Sequence, residues 1–219
     1  MSVLPITILI VDNIEADDTI AFCAVEYFKN SLVTIMSSDK DFLQLANERV
    51  KIWSPSKKMM FGPAEVLREY GIHPNNFALF RAMDGDASDN IDGVKGIGLK
   101  TVVKFFPFMA EVTPRDVSYI VEYAKQHQGK IKIYDKVVDE EKVLERNYKL
   151  MQLRETIAST ASQMHICDCL NKTKVPKLEK YGMIKLITED KMWNNIPNHN
   201  VWMKETFEGL DSMARNNHE

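Results

Sequence analysis

Ile6-Thr7-Ile8-Leu9-Ile10-Val11-Asp12-Asn13-Ile14-Glu15-Ala16-Asp17-Asp18 is the stretch on which the fold class turns. Its first six residues are apolar or β-branched without interruption, the pattern of a strand buried on both faces of a parallel sheet. Asn13 is expected to cap a helix in which Ile14, Ala21, Val25 and Phe28 recur at core spacing. A second β-rich run, Leu32-Val33-Thr34-Ile35-Met36, ends at Ser37-Ser38-Asp39. A strand-helix-strand unit makes its two strands parallel neighbours. Ligands of open α/β sheets sit beyond the carboxyl ends of the strands, and both runs end there in acidic residues.

Downstream, a helix is expected over residues 42–47. A hairpin-like stretch follows, from Val50-Lys51-Ile52-Trp53 to Met59-Met60-Phe61. Gly62 breaks the chain, Pro63 suits the first turn of a helix over 64–70, and Gly71 stops it. Another helix is expected over 74–83. The reading is an α/β class chain: residues 1–62 form part of a parallel-sheet core, and residues 63–219 are mostly helical, with turn signals at Pro107, Pro114, Gly129, Pro176 and Pro197.

With 219 residues, 45% hydrophobic and 27% charged, the chain is long enough for one substantial core and a smaller companion. A net charge of −3 does not mark a nucleic-acid binder, although metal on its acids would leave the remainder more basic. Cys23, Cys167 and Cys169 form no disulfide framework, which suggests a reducing, cytoplasmic setting. His165, Cys167 and Cys169 lack a second ligand pair and read as ordinary packed residues. The opening apolar run is too short to span a membrane, and no membrane partner is expected. Lys172, Lys174, Lys177 and Lys180 read as a solvated face.

Three acidic clusters carry the chemistry: Glu15 with Asp17 and Asp18, Asp39 with Asp41, and Asp86 with Asp89. Alone, the first could cap a helix, the second could start one, and the third could be a turn. Together they repel unless a cation neutralises them, and oxygen-only ligands suit Mg²⁺, with Mn²⁺ as the alternative. Directly after them comes Gly93-Val94-Lys95-Gly96-Ile97-Gly98-Leu99-Lys100-Thr101. A glycine hairpin between helices brings bare backbone N–H groups close to a phosphate, and Lys95, Lys100 and Lys104 add charge around it.

Gly85-Asp86-Ala87-Ser88-Asp89-Asn90-Ile91, running into that hairpin, closely resembles the signature of the 5′ nuclease family. This family comprises flap endonucleases, the 5′–3′ exonuclease domain of bacterial DNA polymerase I and bacteriophage RNase H-type exonucleases. Ile14 to Asp18 and Ser37 to Phe42 resemble its earlier acidic motifs, and Trp53-Ser54-Pro55 resembles the phage branch. The resemblance runs over about residues 6–106, and Asn147-Tyr148-Lys149-Leu150-Met151 is a further match. It implies a PIN-like or resolvase-like core, a helix-hairpin-helix at about 84–106, and two metal ions. Glu15, Asp17 and Asp39 would serve the tighter ion; Asp41, Asp86 and Asp89 would complete the second, with Asp18 in the same set. Residues Gly93, Val94, Lys95, Gly96, Ile97, Gly98, Lys100, Thr101 and Lys104 would hold the duplex, with K⁺ between hairpin carbonyls and phosphate.

The implied function is Mg²⁺-dependent 5′–3′ exonuclease or flap cleavage of DNA or RNA–DNA duplexes in primer and flap removal. If phage-encoded, the protein would act in the host cytoplasm. The family's strand of the type apolar-apolar-Asp-Gly and its basic helical arch have no counterpart here, so a separately encoded N-terminal portion is an expected partner. The alternative is a catalytically inert, structure-specific DNA-binding subunit.

Overall fold

The computed structural model describes residues 3–155, 159–172 and 176–216, with side chains to residue 212. These residues divide into two compact units: residues 14–159, and residues 1–13 together with 160–219.

The larger unit opens with α1 (Ala16–Phe22), which continues through a wider turn over Cys23–Tyr27. Asn13 does not cap it: the residue lies in the left-handed region (φ 61°), and Glu15 stands at the cap position without a capping bond. Three strands follow: β1 (Val33–Met36), β2 (Val50–Ser54) and β3 (Met59–Phe61), in the order β1-β2-β3. β1 runs parallel to β2 with Val33 opposite Val50, and β2 runs antiparallel to β3 with Ile52 opposite Phe61. The expected hairpin forms, and β2 is also the middle strand of the sheet. Its period-2 pattern buries Val50, Ile52 and Ser54. Arg49 locks the crossover by donating Nη1 to the carbonyls of Phe28 (2.9 Å) and Ser31 (3.1 Å) and Nη2 to that of Ala24 (2.8 Å).

The expected strand at Ile6–Val11 does not form. Among the described residues that stretch joins no ladder, and Ile8 and Ile10 are 52% and 76% exposed. Uninterrupted apolar sequence becomes a strand only where a partner accepts its backbone bonds, and none does here.

α2 (Pro63–Tyr70) starts as expected, with Glu65 accepting the Gly62 N–H at 3.0 Å, and ends at Gly71 with φ +67°. A 3₁₀ turn (Pro74–Asn76) leads into α3 (Phe77–Asp84), in which every residue from Phe77 to Met83 is buried. A small ribbon of β4 (Gly85–Asp86) and β5 (Ile91–Asp92) precedes α4 (Leu99–Phe105). Then come α5 (Val117–Gln126), α6 (Lys132–Asp139) and α7 (Glu141–Met151).

The boundary expected near Gly62 is not one. Ile35, Ile52, Phe61, Val66, Phe77, Met83, Val102, Ile120 and Leu144 share a single core. Gly62-Pro63 is a tight turn between elements packed on each other, with the Tyr70 ring 6.3 Å from Phe61 and 5.3 Å from Phe77.

The smaller unit contains α8 (Thr160–Lys172), α9 (Lys180–Glu189) and α10 (His199–Asn216). Ile166, Ile187 and Met203 are buried in it, and the Glu179 N–H donates to the Val3 carbonyl at 2.8 Å. Of the expected solvated lysines, Lys172 pairs with Asp168 and Lys177 and Lys180 are exposed, whereas Lys174 lies outside the described residues.

Candidate metal centre and nucleic-acid hairpin

The acidic clusters come from three parts of the larger unit. Asp17 and Asp18 lie half-buried in the first turn of α1, behind the exposed Glu15. Asp39 follows the carboxyl end of β1, and Asp41 opens a 3₁₀ turn over Asp41–Leu45. Asp39 and Asp41 are joined by a turn, in which the Asp41 N–H donates to Asp39 Oδ1 at 2.8 Å. Asp86 ends β4 and is held by the Ser88 N–H at 2.8 Å, while Asp89 is exposed on the ribbon turn.

Electrostatics show which acids are neighbours. Asp17 has its pKa raised, first by burial and then by repulsion from Asp39, Glu15, Asp18 and Asp89. Asp18 is raised by burial and by Glu15. These five carboxylates therefore share one electrostatic neighbourhood, drawn from all three motifs. Asp86 is shifted the other way, chiefly by the Ser88 hydroxyl and with help from Arg81.

The second group of acids is organised around a residue that the motif reading does not single out. Arg81, on α3, has a side chain only 6% exposed. It donates Nε to Asp41 Oδ1 and Nη2 to Asp86 Oδ2, and Nη1 reaches the Gly85 carbonyl at 3.1 Å. Burial opposes its charge, but Asp41 and Asp86 outweigh burial and raise its pKa. The available signal is a basic residue on a helix otherwise apolar enough to be buried. Among the described residues, no three Asp, Glu, His or Cys side chains stand in a ligating arrangement. The donor set is nonetheless all oxygen and repels itself around Asp17, which is the chemistry that a hard divalent cation relieves.

Asn147, within the further matched segment, is wholly buried and clamps the acidic loop. Its Nδ2 donates to the Ala82 carbonyl (3.0 Å) and the Asp92 carbonyl (2.9 Å), one on each side of the loop. Gln44 ties the Asp41 turn to α7 by donating to the Met151 carbonyl (2.9 Å) and accepting from the Leu153 N–H (2.8 Å).

The glycine hairpin is a tight turn closed by the Ile97 N–H on the Val94 carbonyl at 2.9 Å, with Gly96 at φ +84°. A β-ribbon, not the expected helix, leads into it, and α4 leaves it at Gly98. The residues expected to meet DNA divide in two. Val94 and Ile97 are buried and anchor the turn, whereas Lys95, Gly96, Lys100 and Lys104 are exposed. Gly98 and Thr101 are half-buried, and Thr101 Oγ1 lies 3.5 Å from the Gly96 carbonyl. Gly93 serves packing: a Cβ there would meet the Asp84 carbonyl oxygen at 2.3 Å. Lys136 of α6 adds a cation not foreseen in sequence, donating to the Lys95 carbonyl at 2.6 Å.

Comparisons with known proteins agree with this architecture. The family model described as "5'-3' exonuclease, N-terminal resolvase-like domain" matches residues 1–71. The "5'-3' exonuclease" of Buchnera aphidicola is 40% identical over 92 residues, covering 42% of this chain and 32% of the relative. "DNA polymerase I, thermostable" of Thermus aquaticus is 41% identical over 95 residues, covering 43% of this chain and 11% of the relative. The chain thus matches a third or less of the length of these relatives. Among solved structures, the zinc-bound T5 5'-exonuclease has a TM-score of 0.61 at 24% identity, covering 72% of this chain and 59% of that one. A variant of the bacteriophage T5 flap endonuclease, solved with DNA and metal ions, has a TM-score of 0.60 at 23% identity, covering 72% and 59%.

Proposed function

We propose that this relative of the 5′–3′ exonucleases hydrolyses phosphodiesters near the 5′ ends of DNA or RNA–DNA duplexes, removing primers and flaps. The observation that carries the reading is the shared neighbourhood of Asp17 with Asp39, Glu15, Asp18 and Asp89, beside a hairpin that presents exposed lysines. In this proposal Glu15, Asp17, Asp18, Asp39, Asp41, Asp86 and Asp89 hold two Mg²⁺ ions. When bound, such ions supply Lewis-acid activation of water and neutralise charge at the phosphate. The chain's own residues do the rest. Lys95, Lys100 and Lys104 draw the backbone of the duplex onto the turn, whose bare glycines admit a phosphate closely. That grip places the scissile bond over the acids, and the binding energy is used for positioning. A K⁺ ion at the hairpin carbonyls is the finer expectation, and Lys136 already brings a cation to one of them.

The test is cleavage of a 5′-flap duplex with Mg²⁺ and with excess chelator, by this chain alone and with a protein supplying the family's N-terminal portion. Cutting that requires Mg²⁺ in either arm is expected. Tight duplex binding with no cutting in both arms would instead establish the inert, structure-specific DNA-binding subunit.

The hairpin's part is tested separately. Lys95→Glu with Lys100→Glu is expected to weaken duplex binding by roughly a hundredfold and to lower the salt slope by about two. An unchanged slope in a filter-binding or anisotropy titration would remove those lysines from the interface.

A further inference from the structure

Within the proposed metal centre, one half of the acids already has a cation. Asp41 and Asp86 are both bonded to the buried guanidinium of Arg81, from separate nitrogens. A third carboxylate, Asp84, stands 3.7 Å from Nη1 and is outside the proposed ligand set. Arg81 is fixed at its base by α3, whose neighbouring residues are all buried, so only the guanidinium end has freedom to change partners.

Resting on the metal reading above, we propose that Arg81 is the resident counter-cation of the Asp41–Asp86 half-site, which a divalent ion must displace in order to bind there. Two half-buried carboxylates this close together would be costly without a partner, and a guanidinium occupying their lone pairs avoids that cost in the metal-free protein. The exchange leaves no orphan charge. An arriving ion takes Asp41 and Asp86, and Arg81 keeps the Gly85 carbonyl and closes on Asp84. Among the described residues, no internal cation is paired with Glu15, Asp17 or Asp18 as Arg81 is with Asp41 and Asp86. The two halves therefore differ in kind. The Asp17 half gains outright by taking an ion, whereas the Asp41–Asp86 half must first give one up. Filling is sequential, with the Asp41–Asp86 ion bound second and more weakly.

The experiment is calorimetric titration of Mg²⁺ into wild type, Arg81→Lys and Arg81→Gln without nucleic acid. It is paired with the Arg Nε–H resonances of wild type over the same titration. Arg81→Gln is expected to raise the affinity of the weaker ion about tenfold, the scale of one charge-assisted hydrogen bond. Arg81→Lys keeps the charge but loses the two-pronged grip, and should raise it by about threefold. In wild type, the Arg81 Nε–H signal should stay in place through the first equivalent and move with the second; this readout needs no variant to fold. If wild type binds Mg²⁺ but all three proteins share one affinity, or the signal moves with the first ion, the exchange is refuted while the metal centre stands. If Arg81→Lys equals wild type and only Arg81→Gln gains, net charge explains the effect and the exchange is likewise refuted. Failure of wild type to bind Mg²⁺ at all refutes the metal centre and this inference with it.

Discussion

Asp17→Asn is expected to slow Mg²⁺-dependent flap cleavage by roughly a thousandfold, the scale of losing several kcal/mol of metal-borne stabilisation. The same change should make the metal-free protein slightly more stable at neutral pH. The Asp17 pKa is raised, by burial first and then by Asp39, Glu15, Asp18 and Asp89, so the ionised group is disfavoured in the fold. That penalty is full above its folded pKa and fades as pH falls through it, because the protonated form escapes both burial cost and repulsion. Asparagine removes the penalty at every pH. In chelator, the variant should therefore melt above wild type at pH 7, and the two should converge as pH falls toward the carboxylate range. Because the site is partly open to water, the gain is expected to stay under about 1 kcal/mol. Melting curves at several pH values, beside single-turnover cleavage, check both halves. A variant that melts lower at pH 7, or that cuts at the wild-type rate, would remove Asp17 from the centre of the cluster.

Gly93→Ala should be among the most damaging single methyl groups in the larger unit. The added carbon would meet the Asp84 oxygen at 2.3 Å, the Asp84 carbonyl carbon at 2.4 Å and the Met83 oxygen at 2.5 Å. All three are backbone atoms at the end of a buried helix and cannot rotate away. The cost is expected to be on the order of 3–5 kcal/mol. Gly96→Ala provides the contrast. Gly96 has φ +84°, but the nearest atom to its Cβ is the tip of Lys136 at 3.3 Å. Left-handed strain there costs only about 1 kcal/mol. Urea unfolding of the two variants separates the cases: if Gly93→Ala loses no more than Gly96→Ala, the close approach beneath the acidic loop is wrong. Both glycines belong to the same motif, yet one is needed for packing against α3 and the other for the turn.

That difference shows what the amino-acid order reveals and what it conceals. Turn chemistry is readable, because it is local. Pro63 and Gly71 bound α2, and the run from Val50 to Phe61 makes its hairpin. The clustering of Asp17, Asp39 and Asp89 can be anticipated because motif spacing places acids at element ends. Pairing is less readable, because it depends on residues far away. Val50–Ser54 is the central strand because β1 and β3 pair with its two edges, and Ile6–Val11 is no strand because nothing among the described residues pairs with it. Arg81 and Asn147 are hidden for a related reason. A buried polar side chain is legible only through its partners, and theirs lie as many as 40 and 65 positions away.

Gln44 joins the Asp41 turn to the backbone of residues 151 and 153, more than a hundred positions later, and Arg154 closes on its carbonyl from the same direction. During synthesis the chain emerges from the ribosome amino end first, so the turn carrying Asp41 waits for its struts until residue 154 has cleared the exit tunnel. The Asp41 turn is translated early but gains these struts late. A nascent chain paused before that point would carry the acidic motifs without the frame that aims them.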